Sequence, residues 1–314
     1  EHLRWRVARA IEELGYQPNA VAKSLRNRQT KMVGVLISDI SNPFFASVVR
    51  GIEDVLSQKG FTVVLCNTDT DPRKEAQYVS ELLQRRIDGL IVSAASSESE
   101  HFLPVIKQKL PLVFVNRVPT TLDSADAVLT NNVKGAYMAT EHLISLQHRR
   151  IGAIVGPQDV ITGKERLEGY CNALSDHALT VRSDYIKEGD FRRESGYELL
   201  GELLDLPAPP TAVFVANNQM TLGALEKIQE LGLSVPRDIS LIGFDFSDWM
   251  RVVRPRITTI VQPSYQLGQV AAELLLKRHS EKRSGSAHAK PKVIKLEPKF
   301  LRGGSTSGVF SYEG

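Results

Sequence analysis

Apolar residues along this chain fall first at helical and then at strand spacing. Leu3, Val7, Ala10, Ile11 and Leu14 recur at i, i+4, i+7, i+8 and i+11, which predicts an amphipathic helix that stops at Gly15. Pro18 suits the first turn of a second short helix carrying Ala20, Val21, Ala22 and Leu25. Asn27–Lys31 reads as a polar linker. From Met32 the pattern changes to buried strands alternating with amphipathic helices.

Met32–Ile37, Thr62–Cys66, Gly89–Val92 and Leu112–Val115 are short apolar runs suited to parallel strands covered on both faces. Helical patterns near Phe45–Lys59, Pro72–Arg85 and Glu100–Gln108 separate them. A second series repeats the alternation. Its strands are Ile151–Val155, Ala212–Val215 and Ser240–Phe244. Its helices lie near Val133–Leu146, Glu165–Leu174, Glu194–Leu204 and Gln219–Leu231. Two such series predict an α/β fold of two doubly wound parallel-sheet lobes. Thr258–Pro263 reads as an extended link, followed by a helix from Ser264 to about His279. Glu281–Pro291 reads as a mobile loop, Lys292–Leu301 as a final strand pair, and Gly303–Gly314 as a polar, glycine-rich tail or an expression scar.

Composition is that of an ordinary globular protein, with 42% hydrophobic and 24% charged residues in 314. No apolar run approaches the roughly 18 residues that cross a bilayer, and no secretory signal opens the chain, so a cytoplasmic, nucleoid-associated protein without a membrane partner is expected. Cys66 and Cys171 make no metal-ligand spacing and read as reduced, packed thiols. The net charge of +3 hides an asymmetry: residues 1–31 carry seven Lys/Arg against three Glu, while the rest hold 32 basic and 33 acidic groups. A local basic segment of that kind attracts phosphate backbones.

Enzyme signatures fail one by one. Gly163-Lys164 is followed by Glu165 rather than Ser or Thr, and neither GxGxxG nor HExxH occurs. Gly304-Ser305-Thr306-Ser307-Gly308 places Thr where a hydrolase elbow needs its nucleophile. Neither an enzyme, a cofactor nor a metal is expected.

Tyr16–Arg26 closely resembles the hinge helix of lactose repressor (LacI/GalR) family regulators. Further family landmarks follow in order: Ser38–Phe45, Arg86–Ile91, His148–Ile151, Arg166–Tyr170, Val235–Asp245 and Pro255–Thr259. The resemblance covers residues 1 to about 302. It implies a DNA-binding transcriptional regulator, most often a repressor, whose operator affinity is set by an effector bound between two periplasmic-binding-protein-like lobes.

It further implies a homodimer or tetramer on a near-palindromic operator, with paired hinge helices in the minor groove and Leu25 as the unstacking wedge. Asn19, Ala22, Lys23 and Arg26 are the accompanying DNA-binding candidates. Leu3–Leu14 resembles the last headpiece helix without the helix-turn-helix expected before it, so a truncated headpiece is expected. The implied organisation is headpiece end and hinge (1–31), first lobe (32–131 with 262–294), second lobe (132–261 with 295–302) and tail (303–314).

The positions matching the family's effector site are Asn42, Phe44, Phe45, Asn116, Thr162, Arg166, Phe191, Asn217, Asp245 and Trp249. Asn116 stands where many relatives carry Asp. Asn217-Asn218 and Asp245-Phe246 each replace a second carboxylate. Arg166 offers a forked donor, Asp245 an acceptor, and Phe44, Phe191 and Trp249 are stacking faces that serve equally as core fillers. The expected effector is a small carbohydrate or sugar acid, with a purine as the alternative. A periplasmic-type sugar-binding protein without DNA binding is the other function considered.

Overall fold

The computed structural model describes residues 2–13, 29–120, 124–284 and 290–308. The hinge candidates Asn19, Ala22, Lys23, Leu25 and Arg26 lie outside these. An N-terminal helix, α1 (His2–Glu13), coincides with the first apolar stripe.

Two six-stranded sheets follow. The first takes β1 (Met32–Ile37), β2 (Thr62–Asn67), β3 (Gly89–Val92), β4 (Leu112–Val115), β5 (Asp126–Thr130) and β11 (Val293–Leu296), in the order β11-β5-β4-β3-β1-β2, all parallel. The second takes β6 (Ile151–Val155), β7 (Ile186–Glu188), β8 (Ala212–Val215), β9 (Ser240–Phe244), β10 (Thr258–Val261) and β12 (Lys299–Leu301), in the order β12-β10-β9-β8-β6-β7. Only β12 runs antiparallel.

Helices cover both sheets: α2 (Pro43–Gln58), α3 (Pro72–Gln84), α4 (Leu103–Lys107), α5 (Asn132–Ser145), α6 (Ile161–Asp176), α7 (Arg193–Leu204), α8 (Asn218–Glu230), α9 (Trp249–Val252) and α10 (Ser264–Ser284). Several starts are written locally. Asn42 and Asp71 cap α2 and α3 through side-chain oxygens, each followed by a proline whose missing N–H costs nothing in the first turn. The backbones of α2 and α10 touch: a Cβ on Gly51 would stand 2.1 Å from the Tyr265 carbonyl, and one on Gly268 2.0 Å from that of Val48. Only glycine permits that approach.

The chain crosses between sheets after β5, after β10 and between β11 and β12. Thr258–Val261, expected as a link, is therefore a strand of the second sheet. Lys292–Leu301 is no strand pair, because β11 joins the first sheet and β12 the second. The last crossing falls at Glu297-Pro298, not after residue 294. Helix α10 continues to Ser284, so Glu281–Ser284 of the expected loop are helical.

Gly303–Gly308 is likewise not a loose tail. Ser305 is fully buried, its hydroxyl accepting from Thr258 N–H at 2.8 Å and donating to the Leu241 carbonyl at 2.6 Å. Buried His148 reaches the Ser307 carbonyl through Nε2 (2.9 Å) and the Thr211 hydroxyl through Nδ1 (2.8 Å). The carbonyl can only accept, so Nε2 carries a proton.

Burial lowers the His148 pKa below its ordinary 6.5, and that of His142, which touches Thr306, in the same direction. The unfolded chain then binds more protons than the folded one just below pH 6.5. Stability from these rings is present above that value and is lost as pH falls through it. Thermal midpoints measured from pH 7 to pH 5 should fall less steeply for His148→Gln than for the parent; parallel curves would remove His148 from this account.

Candidate functional site

Open parallel sheets present ligand sites at the carboxyl ends of their strands. The segments leaving β1, β4, β6, β7, β8, β9 and β10 meet there, between the lobes, around a cavity of about 30 Å³. Its wall contains Asn42, Phe44, Phe45, Asn116, Thr162, Arg166, Phe191, Asn217 and Asp245, nine of the ten positions expected from the sequence. A wider cleft mouth of about 740 Å³ continues outward past Asp39, Asp69 and Arg192. Trp249 is the exception. It packs against the hydrophobic core of the second lobe, the core-filling role its sequence position also allowed, and is not part of this wall.

Two wall residues were not anticipated. Arg117 follows Asn116, and Gln262 lies on the crossover after β10. Gln262 sits in a segment that reads as a mere link, and Arg117 hides behind the more family-like Asn116. An unremarked side chain next to a strand-end candidate was the one available signal.

Backbone conformation aims the site. Asn116, Phe191 and Asp245 have positive φ values of 65°, 68° and 71°, a costly conformation for residues with a Cβ that clusters at functional sites. Phe191 also needs a neighbour without a side chain, because a Cβ on Gly156 would lie 1.9 Å from its ring.

Charge in the cleft is unbalanced. Arg166 is buried, donates through Nε to Asn132 Oδ1 at 3.0 Å and to the Ala216 carbonyl, and approaches Asp245 to 4.0 Å. Its guanidinium carbon lies 3.9 Å from the Phe244 ring centre. Arg117 is also buried, with its guanidinium 5.1 Å from the Phe191 centre and one long contact, 3.4 Å, to the Ser38 hydroxyl. Burial, then repulsion from Arg166, pushes the Arg117 pKa down to about 10. Burial likewise lowers Arg166, and it raises Asp245 even though Arg166, Gln262 and Arg117 all pull that carboxyl down. Desolvation outweighs attraction at each of these groups.

The hydrogen-bond inventory shows what a ligand must bring. Buried Asn116 Oδ1 and Gln262 Oε1 lack donors, buried Arg117 Nε lacks an acceptor, and the buried Thr162 hydroxyl has no partner in either role. All four belong to cavity-lining residues, and such groups are rare in folded interiors unless a ligand or water completes them. Asn217, by contrast, is fully occupied: its oxygen caps α8 at Met220 N–H and its amide donates to the Phe191 carbonyl, both at 2.8 Å. Asn218 spans the lobes, donating to Asn42 Oδ1 at 3.0 Å and to Ser247 Oγ at 2.9 Å.

Residues 30–295 match the family model described as periplasmic binding proteins and the sugar binding domain of the LacI family. The chain is 40% identical over 303 residues to the HTH-type transcriptional repressor PurR of Pectobacterium carotovorum subsp. carotovorum, covering 96% of this chain and 87% of the repressor. A LacI family transcriptional regulator from Enterococcus faecium, solved with bound ribose, superposes with a TM-score of 0.78 at 32% identity, covering 89% of this chain and all of that one. The transcriptional regulator CelR in its cellobiose complex gives 0.80 at 31%, covering 96% and 90%.

Proposed function

The chain belongs to the LacI family of DNA-binding transcriptional regulators, a non-enzymatic family, and from that membership we propose that its effector is a small neutral monosaccharide held between the two lobes. The carrying observation is the set of unpartnered buried atoms, two amide oxygens that need donors, one N–H that needs an acceptor and a threonine hydroxyl that can take either role. Sugar hydroxyls supply both roles at once. A carboxylate supplies no donor. A purine offers few donors at its edge and needs a free aromatic face, whereas Phe191 already has Arg117 at 5.1 Å and Arg166 at 5.8 Å.

Size favours a monosaccharide over a longer sugar. The enclosed space holds little more than a water molecule, so any effector must part the lobes about their three crossovers before they close on it. The Enterococcus faecium relative was solved with ribose, a monosaccharide. One observation favours a sugar acid as the second reading: two buried guanidiniums face a single cavity-lining carboxylate.

Thermal unfolding against ribose, other aldopentoses, their aldonic acids, cellobiose and hypoxanthine separates these readings. A true effector at about 100 times its dissociation constant should add roughly 2.7 kcal/mol of stability. A shift with aldonic acids alone would replace the neutral sugar by the acid, and a shift with hypoxanthine alone would sink the carbohydrate reading.

The remaining assignments follow from family membership. Residues 1–31 would form the DNA-contacting arm with Leu25 as its wedge, and a homodimer would present two arms to a near-palindromic operator. Sedimentation equilibrium returning a single-chain mass at micromolar concentration would contradict the dimer. A repressor works where the chromosome is, which places it in the cytoplasm at the nucleoid; no helix among the described residues is long and apolar enough to cross a membrane.

A further inference from the structure

Because all six strands of the first sheet are parallel, every one of them starts at the same end of the lobe. Basic residues stand within three positions of five of those starts. Lys31 precedes β1, Lys59 β2, Arg86 β3 and Lys109 β4, while Lys290 and Lys292 precede β11, and all six are exposed. Three described carboxylates at this end are already engaged. Asp126 is buried 2.6 Å from Arg278, Glu281 pairs with the same arginine at 3.1 Å, and Asp88 accepts from the Lys31 backbone.

Helix dipoles do not explain the concentration. Lys59, Arg85 and Lys107 do stand at helix carboxyl ends, where a cation is favourable. The second lobe repeats the architecture, yet α6, α7 and α8 reach the equivalent end at Asp176, Asp205 and Glu230. Exposed Arg182 and Arg237 there are neutralised by Asp184 and Asp238. The fold therefore tolerates acid at these helix ends; exposed Arg149, Arg150 and Arg256 also precede strands of the second sheet, but the basic end of the first lobe is the one beside the entry of the N-terminal segment.

It is also the end at which the N-terminal segment arrives. Gln29 lies 3.0 Å from His279 and accepts from Arg283 at 3.2 Å, so the chain coming from the basic segment before residue 29 enters the lobe against α10, beside these cations. We propose that the strand-start end of the first lobe is a phosphate-contacting surface for duplex DNA, so that the sensor lobe itself adds to the electrostatic part of DNA affinity. The partner is the sugar-phosphate backbone, because exposed lysines on short connections offer point charges without the ordered donors that read bases. This rests on the regulator reading but not on the identity of the sugar.

The test is fluorescence anisotropy of a labelled mixed-sequence duplex with the whole chain, titrated over a range of potassium chloride. Lys59→Gln, Lys109→Gln, Lys290→Gln and Lys292→Gln are combined in one variant. Each phosphate contact contributes about 0.9 to the slope of log affinity against log salt, so the variant should bind at least about tenfold more weakly in low salt, with a slope shallower by about two or more. A control removes four exposed cations of the second lobe, Arg149, Arg150, Lys164 and Lys299, and should keep the parent slope.

Equal losses in variant and control would mean that net charge, not this face, is responsible, and would overturn the proposal. So would an unchanged slope in a variant that retains the parent melting temperature. If the four substitutions weakened binding to polyglutamate as much as to the duplex, the face would belong to an acidic protein instead. A missing sugar response alone would sink the effector assignment and leave this proposal standing.

Discussion

Replacing Asp245 with alanine should cost roughly 3–5 kcal/mol and lower the thermal midpoint by about 10 °C, with loss of the sugar response. Among the described residues Asp245 is the only carboxylate lining this cavity, 4.0 Å from Arg166 and close enough to Arg117 to feel its charge. Burial already works against the carboxylate, so the Asp245–Arg166 pair is no great stabiliser when compared with an apolar filling. Removing one partner is a different matter. It leaves two guanidiniums in a dry cleft with no anion facing them, and it frees the Gln262 amide that donates to Asp245. Differential scanning calorimetry checks this directly. A midpoint within about two degrees of the parent would show that water enters the unliganded cleft freely enough to screen both arginines.

The opposite sign is expected next door. Arg117→Ala should leave the midpoint unchanged or slightly higher, while effector affinity falls about 10- to 100-fold, the worth of one charge-assisted hydrogen bond of about 1.5–3 kcal/mol. Arg117 makes one side-chain hydrogen bond, the 3.4 Å contact to Ser38, beside the Phe191 ring; its Nε has no partner, and the strongest charge acting on it is the like-charged Arg166. Its removal relieves a desolvated cation rather than orphaning one. Only a ligand gives this side chain something to do, so stability and binding should separate. Isothermal titration with the effector and a melting curve on the same sample decide it. A destabilised variant with full affinity would make Arg117 a structural residue and would remove the reason for placing a hydroxyl oxygen beside it.

These two residues also show how legibility divides along the chain. Asp245 was readable because it terminates the apolar run Ser240–Phe244, and a polar residue at the end of a parallel strand has few places to go but the ligand edge. Asn42, Asn116, Phe191 and Asn217 were legible as positions that match the family's site, and each follows a strand or starts the next helix. Arg166 was readable from its landmark motif. Local pattern sufficed for the long, well-covered strands and for the capped helices.

It did not suffice where the partner lies far away in sequence. β7 is three residues long and half exposed, and β5 and β10 carry threonine or aspartate at their ends, so only pairing with β6, β4 and β9 makes them strands. Ser305 and Ser307 look like tail until His148, Ser240 and Thr258 meet them. Trp249 looked like a ligand platform because an aromatic beyond a strand end serves a core as well as a cleft, and only packing chooses.

The sequence by itself determined the alternation, the two lobes and the strand ends, since these depend on periodicity and on residues within a few positions of each other. The tertiary structure alone decided which strand ends converge, that Arg117 and Gln262 join them, and that lysines scattered from Lys31 to Lys292 share one face. The physical reason is that burial, pairing and surface charge are properties of neighbours in space, and in a fold crossed three times by its own chain those neighbours lie up to hundreds of residues apart.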